Sequence, residues 1–221
     1  MAWIELRADD GHQLQAWEAR PEGAPRGAVV VLQEIFGVNG HIRAACDRLA
    51  TQGWVAVAPA LFDRVSRGRE LGYDPAGIAA GRAGKEHVGE EAALRDVQAA
   101  VSHAALCGKV AVMGFCWGGT LAWLAAARLS GVACAIAYYG TAIHAHRDGQ
   151  PRVPVLLHFG EQDAHIPAEH VRAIATAHPE LPLYRYDAGH GFNCDERPAF
   201  HAPSAALAGE RTQAFLKSHL C

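Results

Sequence analysis

The feature that most constrains this chain is the alternation of short, unbroken apolar runs with stretches of helical period. Residues 27–32 read Gly-Ala-Val-Val-Val-Leu, with no polar residue on either face. A strand of this kind is covered on both sides, as strands are in parallel sheets. After it, Asn39 offers a helix N-cap, and Ile42, Ala45, Cys46, Leu49 and Ala50 form one stripe at helical spacing, with Gly53 placed as a stop. Residues 54–58 predict the next strand. The alternation continues with a helix over about 86–106, a strand over 109–115, a helix over 117–129 and strands over 132–139 and 153–160. A helix opening at Pro167 carries Val171, Ile174, Ala175 and His178 on its apolar stripe; a strand over 183–186 and a helix over about 203–220 follow. At the start, residues 2–7 and 13–18 alternate like an antiparallel hairpin turning on Asp9-Asp10-Gly11. The expected fold is α/β: a mostly parallel, doubly wound sheet with an N-terminal antiparallel hairpin and helices on both faces, in a single domain over residues 1–221. Residues 61–85 are rich in Gly and Arg with weak periodicity, and are expected to form a variable loop or lid over one end of the sheet.

Composition narrows the function classes. Half of the 221 residues are hydrophobic and 19% are charged, which suits a packed globular chain and not a disordered one. Twenty Lys and Arg against 23 Asp and Glu give a net charge of -3, so bulk electrostatics does not favour nucleic acid. No stretch approaches the ~20 apolar residues needed to span a bilayer. The first residues alternate charged and apolar side chains and lack the apolar core of a signal peptide, so a cytoplasmic location without a membrane partner is expected. The six cysteines form no C-x-x-C pair, and in a reducing compartment most are expected to be free and buried.

In open parallel sheets, functional loops lie at the carboxyl ends of the strands. The most specific of these loops is Gly114-Phe115-Cys116-Trp117-Gly118-Gly119. It has the form of a nucleophile elbow, G-x-S-x-G, with Cys116 in place of serine; none of Ser66, Ser102, Ser130, Ser204 or Ser218 has comparable flanks. A thiol at a helix N-terminus has its thiolate favoured by unpaired amides and the helix dipole. A lone cysteine ending a strand is more often a small core residue, and the glycine frame is what argues otherwise. In α/β-hydrolases the acid and then the histidine follow the nucleophile in the chain. Asp163 in Gly160-Glu161-Gln162-Asp163 and His190 in Gly189-His190-Gly191-Phe192 fall at strand ends in that order. His190 is then the expected general base and acid, with Asp163 fixing its tautomer. The loop after 27–32 is Gln33-Glu34-Ile35-Phe36-Gly37. It is placed to supply one oxyanion-hole amide, that of Ile35, beside the amide of Trp117. Glu34, a carboxylate straight after a buried strand, needs a partner or a role, and is expected beside the thiol.

With these residues in view, the chain resembles the dienelactone hydrolase (carboxymethylenebutenolidase) family of α/β-hydrolases. The matching pieces are Gln33 to Asn39, Gly114 to Gly119, Tyr138-Tyr139-Gly140, Gly160 to Asp163, Ala188 to Phe192 and Glu210-Arg211-Thr212, in order along nearly the whole chain. The resemblance implies a Cys116–His190–Asp163 triad, Glu34 as the residue that controls thiol ionisation, and hydrolysis of an enol-lactone to a linear dicarboxylic acid without a cofactor or metal. The partner expected is a small ester or lactone, acted on by a monomer or small homo-oligomer. Phe36, Arg82, Tyr139 and Phe192 are the candidates for substrate contact. The family holds the substrate carboxylate with arginines, one of them four residues after the catalytic histidine; here that residue is Cys194, which cannot pair with a carboxylate. The family's other arginine belongs in the variable stretch, where Arg82 is the nearest candidate, and Arg197, reaching back, is the candidate to substitute for the one missing at Cys194. Two other classes compete. His144 and His146 have metal-ligand spacing and, with Asp163 and His165, would make a metallohydrolase. A non-catalytic binding protein or redox sensor on the same fold is the other.

Overall fold

The computed structural model describes residues 1–221. Eight strands, β1 (Ala2–Arg7), β2 (Gln13–Ala19), β3 (Ala28–Leu32), β4 (Val55–Pro59), β5 (Val110–Phe115), β6 (Val132–Tyr138), β7 (Val155–Gly160) and β8 (Leu183–Tyr186), form one sheet in the order β1-β2-β4-β3-β5-β6-β7-β8. β1 pairs with β2, and β2 with β4, antiparallel; every pair from β4 to β8 is parallel. The fold is thus the mostly parallel α/β sheet with an N-terminal antiparallel hairpin that the alternation predicts, in the α/β-hydrolase arrangement that the family resemblance implies. All residues of β3, β4, β5 and β7 are buried, which is why their sequences show no polar alternation.

Six helices cover the sheet: α1 (Gly40–Thr51), α2 (Pro75–Val88), α3 (Glu90–Ala104), α4 (Trp117–Arg128), α5 (Ala168–Ala177) and α6 (Ala202–Leu220). Asn39 caps α1, accepting from the Ile42 amide at 3.3 Å, and Gly53 follows its end at φ +93°. α4 is buried along residues 117–126, so it has no polar face to give it a helical period. None of the helices is long and apolar enough to cross a membrane. At α5 the expected start moves by one residue, because Pro167 is the cap and not the first helical position. Ala175 is exposed, and His178 ends α5, packed edge-on against Trp123.

The variable stretch departs from expectation. The helix expected over 86–106 is two helices, broken at Gly89, whose φ of +70° suits glycine; its amide closes α2 on the Lys85 carbonyl at 3.1 Å. α2 begins at Pro75 under an Asp74 cap, so most of the expected loop end is helical. The apolar period missed it because three of its four buried positions, Gly77, Gly81 and Gly84, carry no side chain, and only Val88 is apolar by side chain. Each interior glycine costs the helix about 1 kcal/mol against alanine, so only close contact with a neighbour accounts for them.

The segment before α2 is tied down by charge. A short 3-10 turn, Leu61–Arg64, buries Leu61 and Phe62, and Arg64 makes a two-pronged bond to the fully buried Asp96 of α3, at 2.8 and 2.7 Å. Burial pushes the Asp96 carboxyl above its ordinary range, against the pull of Arg64. Replacing Arg64 by Met leaves that carboxylate buried and unpaired. Urea unfolding should show a loss of about 3–5 kcal/mol at neutral pH. The loss should shrink as the pH falls and Asp96 takes up a proton; a pH-independent difference would show that the pair is not the cause.

Candidate active site

At the β5–α4 turn the chain reverses so sharply that Cys116 sits at φ +55°, ψ -113°, a region non-glycine residues avoid. The glycines around it are obligatory. A Cβ on Gly114 would lie 2.0 Å from the Gly118 carbonyl oxygen, and one on Gly118 would lie 2.4 Å from the Leu32 carbonyl oxygen. A Cβ on Gly119 would meet the Tyr138 carbonyl at 2.6 Å. Two bonds lock the turn: the Cys116 amide donates to the Tyr138 carbonyl at 3.0 Å, and the Gly118 amide to the Gln33 carbonyl at 3.1 Å. The Trp117 amide, first in its helix, has no carbonyl one turn back to bond.

His190 and Asp163 meet at the same end of the sheet, from the loops after β8 and β7. His190 Nδ1 donates to Asp163 Oδ2 at 2.8 Å. The other carboxylate oxygen accepts from the amides of His165 at 2.8 Å and Ile166 at 3.2 Å, which holds Asp163 in one orientation. With Nδ1 committed, Nε2 is left for the Cys116 thiol. Burial opposes the imidazolium, but the bonds to Asp163 and Cys116 outweigh it and push His190 up to about 10. Tyr139 and His165 pack edge-on against the ring, with centroids at 5.0 and 4.9 Å.

Glu34 is buried, as its place in the sequence demands, but its partner is Arg197 and not the thiol: Arg197 Nη1 donates to Glu34 Oε1 at 3.0 Å. Burial works against the Arg197 charge, and Glu34 together with Tyr139, Cys116 and Cys194 outweighs it, so its pKa is raised. The guanidinium lies 5.7 Å from the Phe36 ring and 5.8 Å from the Tyr73 ring. A Cβ on Gly191 would meet it at 2.5 Å, so the glycine after His190 makes its room. Cys194 turns inward to the Tyr73 hydroxyl at 3.3 Å; burial pushes its thiol up to about 11, which keeps it neutral. Tyr73, which the sequence did not single out, also joins Asn39 at 2.9 Å to Glu196 at 3.1 Å.

Cys116 and His190 open into a cavity of about 310 Å³. Ile35, Phe36 and Trp117 line one side, and α2 supplies Ile78, Arg82 and Lys85. Of the expected substrate contacts, Phe36 and Arg82 line this space. Tyr139 and Phe192 do not: both are fully buried behind it, with ring centroids 5.4 Å apart, because the loops that carry them fold into the core. The Tyr139 hydroxyl has no hydrogen-bond partner. A larger cavity of about 760 Å³ lies between α1 and α6 and contains neither Cys116 nor His190.

The histidines expected to form a metal set are dispersed. His144 stacks on His170 at 3.8 Å, His146 pairs with Glu90 at 3.0 Å, and Asp163 is committed to His190. No group of three His, Cys, Asp or Glu side chains is arranged to hold a metal ion.

The model of the dienelactone hydrolase family matches residues 14–220. The carboxymethylenebutenolidases of Pseudomonas putida and Pseudomonas knackmussii are each 35% identical to the chain over 226 residues, covering 96% of it and 94% of theirs. A crystal structure from Klebsiella pneumoniae, provisionally named a dienelactone hydrolase, superposes with a TM-score of 0.82 at 30% identity, over 97% of this chain and 98% of that one. A dienelactone hydrolase-like promiscuous phosphotriesterase from metagenomic libraries shares the fold, with a TM-score of 0.75 at 20% identity, over 100% and 99% of the two chains.

The His190–Asp163 pair has a signed consequence for stability. A histidine raised from about 6.5 in the unfolded chain to about 10 stabilises the fold fully below its unfolded value and loses that contribution as the pH climbs through about 10. In Asp163→Asn the main support of the imidazolium is gone. NMR titration of His190 should then move down by at least two pH units. An unchanged titration would show that Asp163 does not hold the proton.

Proposed function

Since the chain belongs to the dienelactone hydrolase family and is a hydrolase of that type, we propose that it opens small enol-lactones or activated esters that carry a carboxylate, with Cys116 as nucleophile. The observation that carries this reading is the meeting of a strained thiol and an Asp163-held imidazole in one pocket with three cationic side chains, Arg82, Lys85 and Arg197.

In the proposed sequence His190 takes up the proton of the Cys116 thiol, and the Asp163 carboxylate favours the imidazolium that forms. The sulfur attacks the acyl carbon, and the carbonyl electrons move to oxygen, where the amides of Ile35 and Trp117 receive the charge. The ring C–O bond breaks, and the enolate oxygen takes the proton from His190 Nε2. That leaves a thioester and a neutral imidazole. His190 then removes a proton from water as its oxygen attacks the thioester carbon. Collapse of the second tetrahedral intermediate releases the acid and restores the thiolate beside the imidazolium. An enolate is a good leaving group, so a thiolate suffices where an amide would resist it. Arg197 binds Glu34 at rest and is within the pocket, so a substrate carboxylate competes with Glu34 for the same guanidinium. In this reading the released Glu34 is free to turn toward the thiol and control its ionisation.

Hydrolysis of cis-dienelactone and p-nitrophenyl acetate by wild type and Cys116→Ala tests the nucleophile. Wild type should cleave both, and the variant should lose on the order of 10⁴-fold or more on each; activity that survives in Cys116→Ala would overturn the assignment. The double variant Arg82→Met, Lys85→Met should raise KM for the anionic lactone about 10-fold while KM for the neutral ester stays put, because only the lactone has a charge to lose. An equal rise for both substrates would instead mean a damaged pocket.

A further inference from the structure

α2 packs on its neighbours through three glycines, Gly77, Gly81 and Gly84. A Cβ on Gly77 would lie 2.0 Å from the Gly72 carbonyl oxygen, and one on Gly84 would lie 3.1 Å from the Phe62 ring. The contact at Gly81 is of another kind. There a Cβ would fall 2.1 Å from the carbonyl oxygen of Ile35, 3.1 Å from its carbonyl carbon and 3.1 Å from its own Cβ. The backbone of α2 therefore rests on Ile35, the pocket residue whose amide the proposed reaction uses as an oxyanion donor.

The rest of that loop is secured by hydrogen bonds, and Ile35 is not. The Glu34 carbonyl accepts from Gln33 Nε2 at 3.1 Å, and the Phe36 carbonyl accepts from the Leu71 amide at 2.9 Å. Between them, the Ile35 amide donates to no protein acceptor and its carbonyl accepts from no donor. An oxyanion donor must be free of a partner and still fixed in direction, since its advantage over water lies in not having to reorient. Contact with a rigid helix meets both needs where a hydrogen bond would consume a group.

We propose that Gly81 is a positioning residue for the hydrolytic reaction: by carrying no side chain it lets α2 press on the Ile35 carbonyl and so aims the Ile35 amide at the oxyanion. The next residue, Arg82, faces the pocket from the same turn. One helix thus sets both the cation that meets the substrate carboxylate and the amide that meets the developing charge. The inference rests on the proposed use of Cys116 and the Ile35 amide.

The test is Gly81→Ala, with Gly84→Ala as the matched comparison and Cys116→Ala as the check on the nucleophile. Both glycine substitutions place the better helix former in α2, but only the first puts a methyl group against the loop backbone. In Gly84→Ala the methyl meets the edge of the Phe62 ring at 3.1 Å, a contact relieved by a shift of a few tenths of an ångström and not a backbone clash. Gly81→Ala should keep a Tm within a few degrees of wild type and lose about 10- to 100-fold in kcat on both substrates, as for a misdirected oxyanion donor. Its KM for the neutral ester should change less than about threefold, and the Ile35 amide resonance should move in the ¹H–¹⁵N spectrum. Gly84→Ala should stay near wild type in all these measures. If Gly81→Ala is folded with kcat within about twofold of wild type while Cys116→Ala is dead, the inference fails and the nucleophile stands. If Cys116→Ala remains active, the underlying reading fails, whatever Gly81→Ala does. Should Gly81→Ala not fold, Asp74→Ala carries the test: it strips the α2 cap, whose carboxylate accepts from the Gly77 amide at 2.6 Å, and adds no atom near Ile35. A kcat on the neutral ester lowered severalfold supports the positioning role, and an unchanged kcat overturns it.

Discussion

Close approach of backbone to backbone around Cys116 is the constraint on which the site depends. Gly118 presses on the carbonyls that end β3, and Gly119 on the carbonyl that ends β6, while Gly114 admits the turn of α4 that follows. Three neighbouring strands and the central helix therefore meet within van der Waals distance of one residue. The left-handed backbone of Cys116 costs about 1–3 kcal/mol, and it persists because none of these parts can move without the others. Glu34, Ile35 and Tyr139 leave the strands at this junction, so they inherit its rigidity.

Charge is arranged on the same frame in two buried pairs. Asp163 with His190, and Glu34 with Arg197, each remove an ion pair from water at the end of the sheet. Breaking such a pair is expensive, which gives each a definite resting state. The two differ in their surroundings. Asp163 has both oxygens occupied by protein donors, so its bond to His190 is fixed in direction. Arg197 lies along the cavity between two aromatic rings, and its bond to Glu34 is one that an incoming carboxylate can contest. Cys194 gives up the clamp position that the family fills with arginine. The turn that follows it, closed by the Arg197 amide on the Cys194 carbonyl at 3.1 Å, brings Arg197 back to the pocket.

Helix α2 shows where pattern reading runs out. A helix announces itself through apolar side chains at its own period, and α2 has replaced them with glycine because its neighbours are backbone atoms. The Asp74-Pro75 pair was a legible start signal, since a capping carboxylate followed by proline at the first helical position is favoured by both cap chemistry and the fixed φ of proline. The face it packs with was not legible, because a glycine in a sequence does not say what presses on it. Tyr73 was missed for a related reason: its hydroxyl matters through Asn39, Glu196 and Cys194, which only folding brings near.

The sequence by itself determined the order of the strands and of every helix but α2, the parallel sheet, the elbow at Cys116 and the placing of Asp163 and His190 at strand ends. These follow from local chemistry: unbroken apolar runs need cover on two faces, and a crowded turn needs small residues at fixed offsets. Tertiary structure alone decided which partner each buried group takes. Glu34 stands next to the elbow loop, yet it bonds an arginine from the far end of the chain. Tyr139 follows the end of β6 and Phe192 lies two residues from His190, yet both close the core behind the pocket. Direction and distance of a side chain are settled by packing against elements remote in sequence, and no spacing along the chain records them.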